Sequence, residues 1–169
     1  MRVAVLTVSD RCFRGEQEDR GGPAVVQSAC RLLANVEVIE RTVIPDERKE
    51  IERHLERLAD SGAADLVLTT GGTGLAPRDV TPQATGAVVD YEVPGLAEAM
   101  RAATRAALPA ADLSRQMAGV RRRTLIVNLP GSPRGATECL EVIAPALPHA
   151  VATLRGEADV HPAPRVERA

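Results

Sequence analysis

The sequence predicts an α/β domain of three layers, a mostly parallel sheet flanked by helices. Three observations predict it. Short apolar, β-branched runs alternate with segments of helical periodicity. Each run is followed by a loop rich in Gly, Pro or Asp. The 169 residues suit one domain with a sizeable core. That domain is expected over residues 1–156, with 157–169 a Pro-rich, charged tail.

Val3–Val8 reads as a strand buried on both faces, because apolar residues run without alternation. A polar loop follows, from Ser9 to Gly22. Pro23–Ala34 is a helix with Val25, Val26, Ala29, Leu32 and Leu33 on one face. Val36–Ile44 is a second strand. Pro45–Ala59 is a helix with Asp46 as a possible N-cap and Ile51, Leu55 and Leu58 as its apolar stripe. Asp65–Thr70 is a third strand, running directly into Gly71-Gly72-Thr73-Gly74. Thr81-Pro82 resembles an N-cap followed by Pro at the first helical position, opening a helix to Asp90. Gly95–Ala107 is a further helix, Leu113–Ala118 a helical turn and Thr124–Asn128 a fourth strand. The helical region Ala136–Leu154 is split by Pro145 and Pro148.

Composition narrows the function. Aromatic residues are 1% of the chain, which leaves almost nothing to stack on bases. The 21 basic and 23 acidic residues give a net charge of −2, without the basic excess of a duplex binder. No nucleic-acid partner is expected. Lys49 is the only lysine and lies far from any glycine cluster, so a lysine-bearing P-loop is excluded. Phosphate must be held by backbone N–H groups, metal or Arg. Cys12, Cys30 and Cys139 are widely spaced and fit neither a disulfide framework nor a zinc site. With no signal-peptide pattern and no apolar run of membrane-span length, a cytoplasmic protein with no membrane contact is expected.

Four loops carry the candidate chemistry: Thr7–Asp10, Ile44–Glu47, Thr69–Gly74 and Asn128–Pro133. Each follows the carboxyl end of an expected strand, where open α/β sheets place their ligand crevice. The glycine loop suits close backbone approach to phosphate, or simply a tight turn. Asp46 and Asp79 could hold Mg²⁺, which takes one or two carboxylates together with phosphate oxygens. Their alternatives are a helix cap for Asp46 and an arginine pair for Asp79. Ser9 and Asp10 could bind a ligand or close a turn. Asn128 ends its strand, where its amide could read a ligand edge. Arg121-Arg122-Arg123 is most simply a solvated basic face.

These segments together resemble the molybdopterin adenylyltransferases of the Mog/MoaB type, related to the N-terminal domain of gephyrin. The matching residues are TVSDR (Thr7–Arg11), IPDE, LVLTTGGTG (Leu66–Gly74) and RDVTPQAT (Arg78–Thr85). They continue through VPGLAEAMR (Val93–Arg101), LSRQMAGVR (Leu113–Arg121) and NLPGSP (Asn128–Pro133). The resemblance implies a molybdopterin-binding (Mog-like) fold, a homotrimer, and Mg²⁺-dependent transfer of AMP from ATP to molybdopterin with release of pyrophosphate. A molybdenum-insertion protein is an implied downstream partner. Asp46 and Asp79 stand at the family's two functional aspartates. Ser9, Thr70, Gly71, Gly72, Thr73, Gly74, Ser114, Asn128, Pro130, Gly131 and Ser132 fall in its binding segments. Gln83 departs from the family, where an acidic residue is common. The other readings are a molybdopterin carrier or regulator without catalysis, a scaffold, and a nucleotide hydrolase that needs no pterin.

Overall fold

β1 (Arg2–Val8) is the strand on which the architecture turns. Its alternate side chains enter two separate cores: Val3 and Val5 lie in one, Ala4, Leu6 and Val8 in the other. β3 (Leu66–Thr70) and β6 (Thr124–Leu129) divide in the same way, with Val67 and Ile126 facing the second core. This double burial is why the three strands read as continuous apolar runs. The computed structural model describes residues 1–157; the expected tail lies outside the described residues except for Glu157.

The sheet has six strands in the order β2-β1-β3-β6-β5-β4, with β2 at Glu37–Ile44, β4 at Tyr91–Glu92 and β5 at Ala118–Arg121. β2, β1, β3 and β6 are parallel; β5 pairs antiparallel with β6 and β4 antiparallel with β5, so β5 alone runs against the rest. One face is covered by α2 (Gly21–Leu32), α5 (Pro94–Arg105), α6 (Pro133–Ile143) and α7 (Leu147–Arg155). The other is covered by α3 (Arg48–Asp60) and α4 (Thr81–Val88). A four-residue α1 spans Asp10–Phe13. The three-layer, mostly parallel expectation is met, and the split at Pro145 separates α6 from α7.

Three local readings are corrected. β4 and β5 add strands where the sequence shows none. The expected helical turn at Leu113–Ala118 is instead the end of a 3-10 helix (Pro109–Leu113) followed by extended chain. There, the Arg115 N–H donates to the Thr73 carbonyl (2.9 Å) and Ala118 pairs with Val127, so tertiary contacts override local helicity. The polar stretch after Ser9 contains α1, capped by the Ser9 hydroxyl, which accepts from the Cys12 N–H.

At the amino end of the strands, Asp65 ties β1 to α7. Its side chain is 4% exposed and accepts from the Arg2 N–H (2.6 Å) and guanidinium (2.9 Å) and from the Arg155 guanidinium (2.5 Å). Burial alone would raise its pKa, but the two arginines hold the carboxyl well below the usual range.

Candidate functional site

The helices that follow β1 and β3 leave on opposite faces of the sheet, α2 on one and α4 on the other. These neighbouring strands therefore form a topological switch point, with a crevice beyond their carboxyl ends. The four loops meet there. A cleft of about 530 Å³ is lined by Ser9 and Asp10, by Asp46, by Thr70, Gly71 and Gly72, and by Gly131 and Pro133. A second cleft of about 520 Å³ lies beside it, with Leu75, Leu108, Leu113, Ser114 and Cys139 on its walls. Gly72, Asp79 and Gly131 line both. One cleft is rimmed by charge, the other largely by apolar side chains, and the glycine loop forms the partition.

The partition depends on glycine. Gly71 adopts φ +105°, and a Cβ there would lie 2.3 Å from the Val8 carbonyl oxygen. Gly72 adopts φ +63°, and a Cβ there would meet the Thr81 hydroxyl at 2.3 Å and Asp46 Oδ1 at 3.2 Å. No other residue allows both conformation and approach. The Thr81 hydroxyl donates to the Gly71 carbonyl (2.9 Å). It does not cap α4, whose N-cap is Val80. Thr70 pins the loop to the end of β6 by donating to the Pro130 carbonyl (2.7 Å).

The carboxylates are held by the loops themselves. The Asp10 N–H donates to Asp46 Oδ2 (2.7 Å), and the Asp46 N–H returns a bond to Asp10 Oδ1 (3.0 Å). Asp46 is therefore not a helix cap; α3 has Glu47 at its N-cap position. Burial, reinforced by the charges of Asp10 and Asp79, pushes the Asp46 carboxyl above its ordinary range. Asp10 is nudged upward by desolvation. It nonetheless lies below the ordinary range, because the Arg78 guanidinium donates to it (2.7 and 3.0 Å). Arg78 also reaches Glu47 (2.9 Å). The Asp79 carboxylate accepts from the Ala76 N–H (2.8 Å). No arginine is seen paired with the Asp79 carboxylate among the described residues; Arg115 binds the Asp79 main-chain carbonyl instead.

Of the expected binding residues, Ser9 and Thr70 line the first cleft. Thr73, Gly74, Ser114, Pro130 and Ser132 line the second. Asn128 enters neither. It is 0% exposed, and its amide donates to the Thr69 (3.0 Å) and Thr85 (2.9 Å) hydroxyls. It faces α4 at the end of β6, so its amide N–H₂ joins two strands to a helix, while its buried Oδ1 has no hydrogen-bond partner among the described residues. Gln83 is exposed and lines neither cleft. Arg121 and Arg122 are engaged with Asp60. Sequence reasoning missed Arg14, Glu18 and Asp19 on the first cleft, which come from a polar loop with no periodicity. Among the described residues no helix is long and apolar enough to cross a membrane.

Residues 4–149 match the family model described as "probable molybdopterin binding domain". The chain is 44% identical over 146 residues to a molybdopterin adenylyltransferase of Escherichia coli K12, covering 86% of this chain and 75% of that protein. It is 42% identical over 156 residues to one from Helicobacter pylori J99, covering 92% and 89%. Among solved structures it superposes on the molybdopterin biosynthesis enzyme MoaB of Thermus thermophilus. That match has a TM-score of 0.84 and 51% identity, over 92% of this chain and 96% of that one.

Proposed function

The chain belongs to the molybdopterin-binding-domain family, and from that premise we propose that it adenylylates molybdopterin in molybdenum cofactor biosynthesis. The observation that carries this reading is the pair of adjoining clefts sharing Gly72, Asp79 and Gly131. Two substrates seated side by side would meet at that glycine partition. A phosphate oxygen of molybdopterin attacks the α-phosphorus of ATP, the bond between the α-phosphorus and the bridging oxygen breaks, and pyrophosphate leaves. The attacking phosphate is already ionised near neutral pH, so positioning and charge neutralisation carry the catalysis.

Mg²⁺ fits the donor set. Asp46 and Asp79 share one cleft, and their mutual repulsion is part of what raises the Asp46 carboxyl. A hard cation that takes two carboxylates plus phosphate oxygens would relieve it. When bound, Mg²⁺ supplies neutralisation of the nucleotide phosphates. Gly71 and Gly72 let the backbone approach those phosphates closely. Ser9 and Thr70 line the first cleft and Ser114, Pro130 and Ser132 the second, where they orient the two substrates. Homotrimeric assembly, a cytoplasmic setting and delivery of product to a molybdenum-insertion protein complete the reading.

The test is incubation of the purified protein with molybdopterin, ATP and Mg²⁺. Adenylyl-molybdopterin and pyrophosphate are expected in equal amounts. Pterin binding without pyrophosphate release would instead identify a carrier, and ATP turnover without pterin a hydrolase. The departure that favours a carrier, Gln83, lies outside both clefts and removes no group from them.

A further inference from the structure

Arg115 lines neither cleft, yet three of its donors reach the wall between them. Its N–H donates to the Thr73 carbonyl (2.9 Å), its Nε to the Gly74 carbonyl (2.7 Å) and its Nη2 to the Asp79 carbonyl. The first two residues and the last residue of the loop from Thr73 to Asp79 thus converge on one residue. Apart from its main-chain carbonyl, Asp79 is bonded within the loop: its carboxylate accepts from the Ala76 N–H (2.8 Å) and its own N–H donates to the Ala76 carbonyl (2.9 Å). Leu75, Ala76, Pro77 and Arg78 are exposed and bring no core packing to it; the one other long-range tie of these four is the exposed Arg78 guanidinium on Asp10 and Glu47.

Arg115 is itself anchored. Its neighbour Gln116 is 3% exposed, and the Gln116 carbonyl accepts from Arg101 of α5 (3.0 Å). The hold on the loop is therefore referred back to α5, which packs on the core through Ala97 and Met100.

We infer that Arg115 is a positioning residue, which fixes the Gly74–Asp79 loop so that the Asp79 carboxylate is presented to the shared wall of the clefts. The planar guanidinium suits this task. It donates from two nitrogens at fixed separation, whereas a lysine would offer a single point. The inference rests on the role given to Asp79 under the proposed function.

The experiment combines two measurements on the full chain. The first is amide hydrogen exchange over residues 73–80 without ligands. The second is steady-state adenylylation kinetics for Arg115→Gln and Arg115→Lys, each in the wild-type and the Asp79→Asn backgrounds. Arg115→Gln is expected to speed exchange across the loop. It should also lower kcat roughly 10- to 100-fold, as displacement of a reacting group by about 1 Å does, with KM changing less. Arg115→Lys should recover part of the loss. In the Asp79→Asn background, Arg115→Gln should cost less than about twofold, because the two residues act through one carboxylate. Unchanged exchange, or losses that multiply across the two sites, would overturn the inference. If Arg115→Gln does not fold, Arg115→Lys carries the same comparison. A wild-type protein that forms no adenylyl-molybdopterin refutes the proposed function, and the exchange measurement still accepts or rejects the hold on the loop.

Discussion

Substituting Gly71 by Ala is expected to damage the fold and the site together. Two costs add. At φ +105° a residue with a side chain is strained, by about 1–3 kcal/mol. The new methyl would also sit 2.3 Å from the Val8 carbonyl oxygen, where an unstrained carbon–oxygen contact lies near ~3.3 Å. The loops after β1 and β3 must part by about 1 Å, and because the clash is with backbone no side chain can swing aside. Such overpacking costs about 1–3 kcal/mol, for a total centred on ~4 kcal/mol. In a domain of this size that corresponds to a fall in Tm of about 8–16 °C. Gly62→Ala is the control. Its φ is +64° with nothing within 4 Å of the added methyl, so only the left-handed backbone cost of about 1–2 kcal/mol applies. Thermal unfolding followed by circular dichroism reads both. Adenylylation by Gly71→Ala at a temperature where it remains folded should fall roughly 100-fold, since the displaced loops carry the site. If Gly71→Ala matched Gly62→Ala in Tm and the wild type in kcat, the close packing of the two loops would not matter as argued.

Other expectations follow from the charges. Asp46 must be ionised to serve as a ligand, and burial with its like-charged neighbours raises its pKa. The acid limb of kcat/KM should therefore lie above the ordinary Asp value of about 3.9; a limb at or below that value would count against Asp46. Asp65 has a depressed folded pKa, so its stabilisation is present above about pH 4 and lost as the pH falls below that. Asp65→Asn leaves Arg2 and Arg155 facing an amide and should cost about 3 kcal/mol at pH 7, with a shallower loss of stability in acid. An unchanged chemical-denaturation midpoint would contradict it. Gln83→Glu should alter the adenylylation rate by less than about twofold, because the side chain is exposed and outside both clefts. A tenfold gain would place it in the machinery after all.

The parts of the fold that bury apolar residues on both faces were legible. β1, β3 and β6 announce themselves because their apolar side chains meet a core on both faces. β4 and β5 do not, being two and four residues long, and β5 carries a glycine. Their hairpin partner is also disguised. The turn between β5 and β6 uses Arg122 at φ +54°, where Asn or Gly would have signalled it. The crevice could be placed from strand-end logic, which brought Asp46, Asp79 and the glycine loop together in advance. The same logic misplaced Asn128, because position at a strand end says nothing about which face the side chain takes. Arg115 lies within LSRQMAGVR, but a side chain bonded to distant carbonyls leaves no pattern in the local sequence.

The reversal of β5 has a consequence for how this architecture can vary. In a purely parallel sheet only segments downstream of a strand reach the ligand edge. Here β5 starts at the carboxyl end of β6, with the Asn128 N–H donating to the Met117 carbonyl (2.9 Å). The stretch upstream of β5, Ser114 to Met117, is thereby delivered to the clefts. The hairpin tip at Arg122 and Arg123 is sent to the far end. One strand running backwards thus divides a single hairpin into a side where added residues would rewrite ligand selection and a side where they would pass unnoticed.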